Sequence, residues 1–403
     1  MKKKNSPAFQ LTIKYAFLQS LFWIIYAIIG SFANVYLLDR GFYNTEIGII
    51  LSAGAVLSII FQSILAALID QFQKVQLKYV IFVLLLLLFL SVTNLSLHPN
   101  NKYITGGCYI LIFTILTAMI SFLNSFAMEY INLGIDLNYG LARGMGSISF
   151  ALIAYIIGHI IEKLGSGIIL PASMLAVAIM IGITLSFRLP ATYEAARQNE
   201  PAVTGTKKEK KLNFFTFFMQ YRQFFLLLTG FSLLYIGHSF INTYHINIIQ
   251  NVGGNSSNLG LSISIAAIVE LPAMASFAFL SSKTKCSTLI KISAAFFAIK
   301  ALITFVAPNI GFIYFSMVFQ MGSFALFTPS SIYYVNKIMD RSNRVKGQAL
   351  LGTATLGIGG TLGNFIGGKL LDTFSVSVML AVGLILSIIG FIVTLIFTDR
   401  NVE

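Results

Sequence analysis

The chain has 403 residues, 57% of them hydrophobic and only 10% charged, whereas an average soluble domain carries about 25% charged residues. A net charge of +13 is large enough to suggest nucleic acid. The Lys and Arg sit in short gaps beside long apolar runs, as in a membrane protein, and that placement argues against a nucleic-acid surface. No Gly-rich loop is followed by Lys-Ser or Lys-Thr, which argues against nucleotide-driven pumping.

In chain order, apolar stretches cover residues 13–38, 44–69, 77–97, 104–132, 141–163, 167–188, 221–249, 258–281, 287–307, 310–336, 345–371 and 375–398. Each is long enough to cross a hydrocarbon layer of about 30 Å as a helix. The first follows Lys2-Lys3-Lys4 and so imitates a secretory signal. It is too long for one and lacks a small-residue cleavage site, so it reads as a retained span. With the tails and even-numbered gaps assigned to one side, that side and the stretch ends beside it hold 22 of 27 Lys and Arg, the other side holds Arg40, Lys102, Lys163 and Lys369, and Lys300 falls well inside a stretch. That bias predicts a multi-pass cell-membrane protein with both termini in the cytoplasm. Cys108 and Cys286 then lie near opposite membrane faces, and no internal disulfide is expected.

The longest polar interval, 189–213, contains Pro190, Pro201, Gly205 and Lys207-Lys208-Glu209-Lys210-Lys211. It reads as a cytoplasmic linker between six spans in 1–188 and six in 214–403. Short gaps elsewhere force sequence neighbours to run antiparallel. The expected fold class is an all-α membrane protein of twelve transmembrane helices in two six-helix bundles, a plan similar to that of the major facilitator transporters.

Polar side chains inside apolar spans must face protein or water, because lipid cannot satisfy them. Tyr15, Gln19, Phe22 and Tyr26 share a face of the first span. Thr114, Thr117, Ser121, Asn124, Ser125, Met128 and Asn132 do so on the fourth, and Tyr235, His238, Asn242 and His245 on the seventh. Such stripes either glue helices together or line a wet cavity. Two imidazoles and an amide make a poor close-packing surface, so the cavity is favoured for the seventh span. His238 and His245 without a third ligand are too few for a metal site, and no metal or cofactor is expected. Arg143 and Phe150, seven apart, put a guanidinium and a ring on one face, a combination suited to a hydroxyl-rich or carboxylate-bearing small molecule. Glu270 and Lys300 lie within the eighth and ninth spans, either as a pair or with Glu270 as a proton-exchanging site. Gly359, Gly363 and Gly367, four apart, allow close approach of a neighbouring helix.

Several local strings resemble the lactose permease branch of the major facilitator superfamily (the oligosaccharide:proton symporters) and the neighbouring phenylpropionate-permease-like group. They are Tyr36-Leu37-Leu38-Asp39, Glu46-Ile47-Gly48-Ile49-Ile50, Phe61-Gln62 and, most specifically, Asn138-Tyr139-Gly140-Leu141-Ala142-Arg143-Gly144-Met145-Gly146-Ser147. Ala66-Ala67-Leu68-Ile69-Asp70 with Lys74 is similar to a worn copy of the superfamily's first cytoplasmic-loop signature, which implies that Asp70 gates the cytoplasmic side. The resemblance implies that Arg143 binds solute, with Phe150 where the branch has a stacking tryptophan. Glu270 and Lys300 match its eighth-span glutamate and ninth-span arginine. The branch differs at Ser125, which stands for a sugar-contacting glutamate. It differs also at Gln320 and Ser323, which stand for a histidine and a proton-carrying glutamate, and at Leu356, which stands for a lysine.

The residues expected to bind solute are therefore Arg143, Phe150, Ser125, His238, Asn242 and Gln320, with Glu270, Lys300 and His245 in proton coupling. The expected activity is secondary transport of a small polar organic solute, a sugar or glycoside, by alternating access with proton symport in a monomer. Two rivals stay open: an efflux carrier for amphipathic compounds, drawing on the 36 Phe residues, and a non-transporting membrane receptor.

Overall fold

In the computed structural model, residues 7–71, 76–135, 137–187, 214–340 and 343–399 are described. The 189–213 linker, both chain termini and the side chain of Asp70 lie outside the described residues. Among the described residues, twelve helices are long and apolar enough to span a membrane: Ala8–Asp39, Asn44–Ile69, Leu77–Leu97, Lys102–Asn132, Tyr139–Leu164, Ser166–Ser186, Arg222–Thr243, Ser256–Lys283, Cys286–Phe305, Ile310–Ile338, Arg344–Thr373 and Val376–Phe397. They are called spans 1 to 12 below. The face where span 1 starts and span 12 ends is the terminal face, and the opposite one is the distal face.

Short polar side chains set several of the helix starts. Asn101 accepts a hydrogen bond from the backbone of Ile104 before span 4, Asn138 from Leu141 at span 5, Asn309 from Phe312 at span 10 and Ser375 from Val378 at span 12. Asn255 and Asn258 cap span 8 reciprocally. Span 7 ends earlier than the apolar run suggests: the helix breaks at Tyr244 and resumes over His245–Asn251. Three spans are interrupted by wider π-helical turns: Tyr26–Ser31 in span 1, Met321–Ala325 in span 10 and Thr353–Gly360 in span 11.

The spans form two six-helix bundles that meet along two helix pairs, span 5 against span 8 and span 2 against span 11. Missing side chains make both crossings possible: at the second, a Cβ on Gly48 of span 2 would run into the Asn364 carbonyl oxygen, and one on Gly368 of span 11 into that of Asn44. A Cβ on Gly158 of span 5 would stand 2.7 Å from the Ser256 carbonyl oxygen and 2.9 Å from the Gly260 Cα. On span 11, Gly359 faces Tyr235 and Ser232, Gly363 faces Ser239, and Gly367 faces Tyr244. The four-residue glycine step thus seats span 11 on span 7.

Among the described residues, hydrogen bonds between the halves lie toward the distal face. Asp372, near the end of span 11, accepts from the backbone N–H of Asn44 at 3.0 Å, from Asn44 Nδ2 at 2.9 Å and from the Thr45 N–H at 2.6 Å. Asn34 Nδ2 donates to the Thr243 carbonyl at 2.7 Å, and Asn247 Nδ2 donates to Asn44 Oδ1 at 3.0 Å. The Tyr244 hydroxyl donates to the carbonyl oxygens of Asn44 and Asn364, the first across the two halves and the second within its own. Ser256 N–H donates to Glu162 at 3.1 Å. Deeper in the membrane, Ser52 Oγ donates to the Thr361 carbonyl at 2.9 Å and Ser264 Oγ to that of Ala151 at 2.5 Å. Toward the terminal face the facing spans diverge in character: Leu141, Met145 and Ile148 of span 5 and Met274 and Phe279 of span 8 are exposed.

Candidate functional site

From the N-terminal half, span 1 supplies a ladder at four-residue steps. The Tyr15 hydroxyl donates to the Leu123 carbonyl at 2.9 Å, Gln19 Nε2 donates to the Tyr15 oxygen at 2.6 Å, and Trp23 Nε1 donates to Gln19 Oε1 at 3.2 Å. The ladder holds the indole still. The Arg143 guanidinium of span 5 lies 4.3 Å over that ring and donates from Nη1 to Ser147 Oγ at 3.1 Å. Gly146 leaves the space that the indole fills. Phe150 meets Trp23 edge-on at 6.0 Å instead of facing Arg143. The ring that carries Arg143 is therefore the chain's single Trp, from span 1, where the span 5 pattern pointed to Phe150.

The C-terminal half supplies a chain of charge. Lys300 is only 1% exposed, and its Nζ donates to Gln320 Oε1 at 2.6 Å. Gln320 Nε2 donates in turn to Glu270 Oε1 at 2.9 Å. Glu270 and Lys300 are joined, but through an amide and not as a direct ion pair, an intermediate that the sequence did not suggest. The amide is oriented by its two neighbours, with its acceptor toward the cation and its donor toward the carboxylate. Pro272 leaves the backbone carbonyl one turn earlier without an intrahelical donor, two residues past Glu270.

Both half-sites sense one another. The charges of Arg143 and Glu270 lie near enough to interact across the halves, and within the C-terminal half the charge of Lys300 reaches His238 and His245. His238 is buried among rings, stacked on Phe324 at 5.5 Å and edge-on to Phe297 at 5.3 Å, with Nε2 in a 2.7 Å hydrogen bond with Asn242 Nδ2. His245 is buried and shares a 2.9 Å hydrogen bond with Ser262 Oγ. The expected wet face of span 7 thus differs: Tyr235, His238 and His245 are packed, and only Asn242 is exposed. Aromatic side chains of spans 9 and 10 supply the apolar walls that make the imidazole a packing group.

On span 4, Ser125 and Ser121 are exposed, and Ser121 Oγ donates to Gln62 at 2.9 Å. Tyr139 donates to Asn124 Oδ1 at 2.9 Å, so this stripe is divided between an open part and a part that holds span 5 in place. Asp70 falls in the last turn of the span 2 helix. Among the described residues, no group of three His, Cys, Asp or Glu side chains is gathered for a metal ion. Sequence reasoning passed over Trp23, although its four-residue spacing from Gln19 was the signal for it. It also missed the distal residues Asn34, Asn44, Asn247 and Asp372, which read as helix ends and loops.

Comparison with known proteins matches residues 15–397 to the MFS_1 like family. A maltose permease of Geobacillus stearothermophilus is 25% identical over 264 residues, a stretch covering 66% of this chain, and the chain spans 64% of that permease's length. An uncharacterised transporter of Bacillus subtilis (strain 168), YwbF, is 23% identical over 399 residues, covering 96% of this chain and 94% of the relative. In fold, the crystal structure of the nucleoside transporter NupG superposes with a TM-score of 0.78 at 15% sequence identity, covering 96% of this chain and 98% of that one. These likenesses reach the superfamily and not the lactose permease branch in particular. With the family match running from residue 15 to residue 397, the chain belongs to the MFS_1 like family and is a transporter of the major facilitator type, not an enzyme.

Proposed function

We propose that this transporter imports a small polar organic solute, of the sugar or glycoside class, by alternating access with proton symport. The names of its relatives, a maltose permease and a nucleoside transporter, support a sugar-bearing solute. The observation that carries the reading is the pairing of two half-sites. Arg143, fixed on Trp23, faces the Glu270–Gln320–Lys300 chain across the two bundles. A fork of donors beside rings suits hydroxyl groups, and a carboxylate next to an amide-linked ammonium is a place where a proton can be held and released as the cavity changes face.

In this reading, residues 1–188 and 214–403 are the rocking bundles, joined by the 189–213 linker. The terminal face is cytoplasmic in the cell membrane, and the distal bonds close the outer side. The state described is then open inward, with Asp70 at the cytoplasmic end of span 2 available to latch the opposite state. Ser125, Asn242 and Gln320 border the solute; Phe150 backs Trp23. His238 and His245 stay packed in the wall behind Asn242, within reach of the Lys300 charge.

The test is transport by the purified chain in vesicles, with sugars, glycosides and nucleosides offered under an imposed acid-outside gradient. Uptake driven by the gradient, reduced to exchange without accumulation by Glu270→Gln, is the expected outcome. Each pH unit of that gradient, about 1.4 kcal/mol per proton, supports about a tenfold accumulation. Unchanged accumulation in Glu270→Gln removes that residue from coupling, and exchange of lipophilic cations alone moves the chain to the efflux class.

A further inference from the structure

Charges along the central chain do not balance. Two cations, Arg143 and Lys300, face one carboxylate, Glu270. That carboxylate is already committed to Lys300, because the Gln320 amide spends its acceptor on Lys300 Nζ and a donor on Glu270 Oε1. Arg143 has the Ser147 hydroxyl and the face of Trp23, and among the described residues no carboxylate lies within ion-pair distance of it. Its remaining guanidinium N–H groups are not sealed away from solvent. Among the described residues, five acids near the ends of the spans are taken up where they stand. Asp39 accepts from Ser166, Glu46 pairs with Lys102, Glu162 caps Ser256, Asp340 accepts from Tyr221 and Asp372 caps span 2.

A guanidinium held on an indole, partly withdrawn from water and with no carboxylate in ion-pair contact among the described residues, is an anion site. Its planar fork matches a carboxylate with two parallel N–H···O bonds. A neutral sugar would satisfy the donors but leave the charge uncompensated. We infer that the solute supplies the missing negative charge: it is a hydroxylated organic monoacid, a sugar acid or acidic glycoside, whose carboxylate pairs with Arg143 while its carbon skeleton lies alongside Trp23 and Phe150. This rests on the transport reading above and narrows its solute class.

The experiment uses the full chain, in detergent for thermal stabilisation and in vesicles for counterflow, with matched probes: a hexuronate, an aldonate, the corresponding neutral hexose, and the methyl ester of the hexuronate. The acids are expected to bind at least about tenfold tighter than their neutral partners. Arg143→Gln is expected to erase that preference and Arg143→Lys to keep part of it, since charge persists without the fork. The inference is overturned if the hexose or the ester binds as tightly as the acid, or if the preference survives Arg143→Gln. A neutral sugar that exchanges well therefore refutes the acid and leaves sugar transport standing. If no probe, acid or neutral, binds or exchanges, the sugar class itself falls, and this inference with it.

Discussion

Asp372 is the point at which to loosen the distal seal. Its carboxylate takes the first two backbone N–H groups of span 2 and the Asn44 side chain, so it bonds across the halves and also sits at the positive end of a helix. Asp372→Asn has nearly the same shape. It keeps the oxygen shared by the two Asn44 donors, but it turns an NH2 group toward the Thr45 N–H, at the shortest of the three contacts, 2.6 Å. One charge-assisted bond is worth about 1.5–3 kcal/mol and the helix-end charge about 0.3–1 kcal/mol. Asp372 is an exposed residue, so solvent screening cuts the sum to roughly 1.5 kcal/mol. That is about a tenfold shift in the ratio of closed to open distal gate. Ser52 lies beneath the seal, and Ser52→Cys in a background with both native cysteines changed to Ser gives a reporter for a membrane-impermeant maleimide applied from the distal side. Its own lost bond to Thr361 is common to both arms. Labelling should run about tenfold faster with Asp372→Asn. Equal labelling rates with a lower thermal midpoint would show that the carboxylate merely stabilises span 2, and the gate assignment would be wrong.

Other substitutions test other joints. Gln320→Leu strips the buried Lys300 ammonium of its acceptor and Glu270 of its donor, a loss of about 3 kcal/mol that should lower the thermal midpoint by several degrees; an unchanged midpoint would mean the two charges pair directly without the amide. Gly237→Val drives a side chain into Ser387 and Gly383 inside one bundle and should cost about 1–3 kcal/mol of stability in a denaturation curve. Gly158→Val overfills a crossing between bundles, so it should speed distal labelling at a cysteine on position 52 while leaving the melting curve nearly in place; the reverse pattern would put the moving joint elsewhere. Trp23→Leu removes the ring under Arg143 and should weaken solute binding about three- to thirtyfold, from a cation–π contribution of about 0.5–2 kcal/mol, as read by ligand-induced thermal shift; unaltered affinity would mean that the guanidinium is held by Ser147 alone.

Span positions were legible because they rest on length and hydropathy, which need no knowledge of neighbours. Predicted and observed ends of spans 2, 3 and 12 differ by no more than two residues. The Glu270–Gln320–Lys300 chain was half legible. Its charged members stand out in apolar sequence, but an amide from a third span that bridges them carries no local sign. Trp23 was hidden for the opposite reason: an indole in an apolar span looks like packing, and only its hydrogen bond to Gln19 and the overlying Arg143 reveal its place. The distal asparagines were invisible as a group because Asn247 lies 213 and 203 positions from Asn34 and Asn44, and each alone reads as an ordinary helix end.

The lopsided placement of the bonds between bundles among the described residues has a kinetic corollary. For a carrier that cycles between two faces, a solute seated between Arg143 and the Glu270 chain would repay part of the work of parting Asn44 from Asp372 and Tyr244. An empty carrier receives no such help on its return leg. Solute present on the far side should therefore hasten movement from the near side, and one-for-one swapping should outrun net flux.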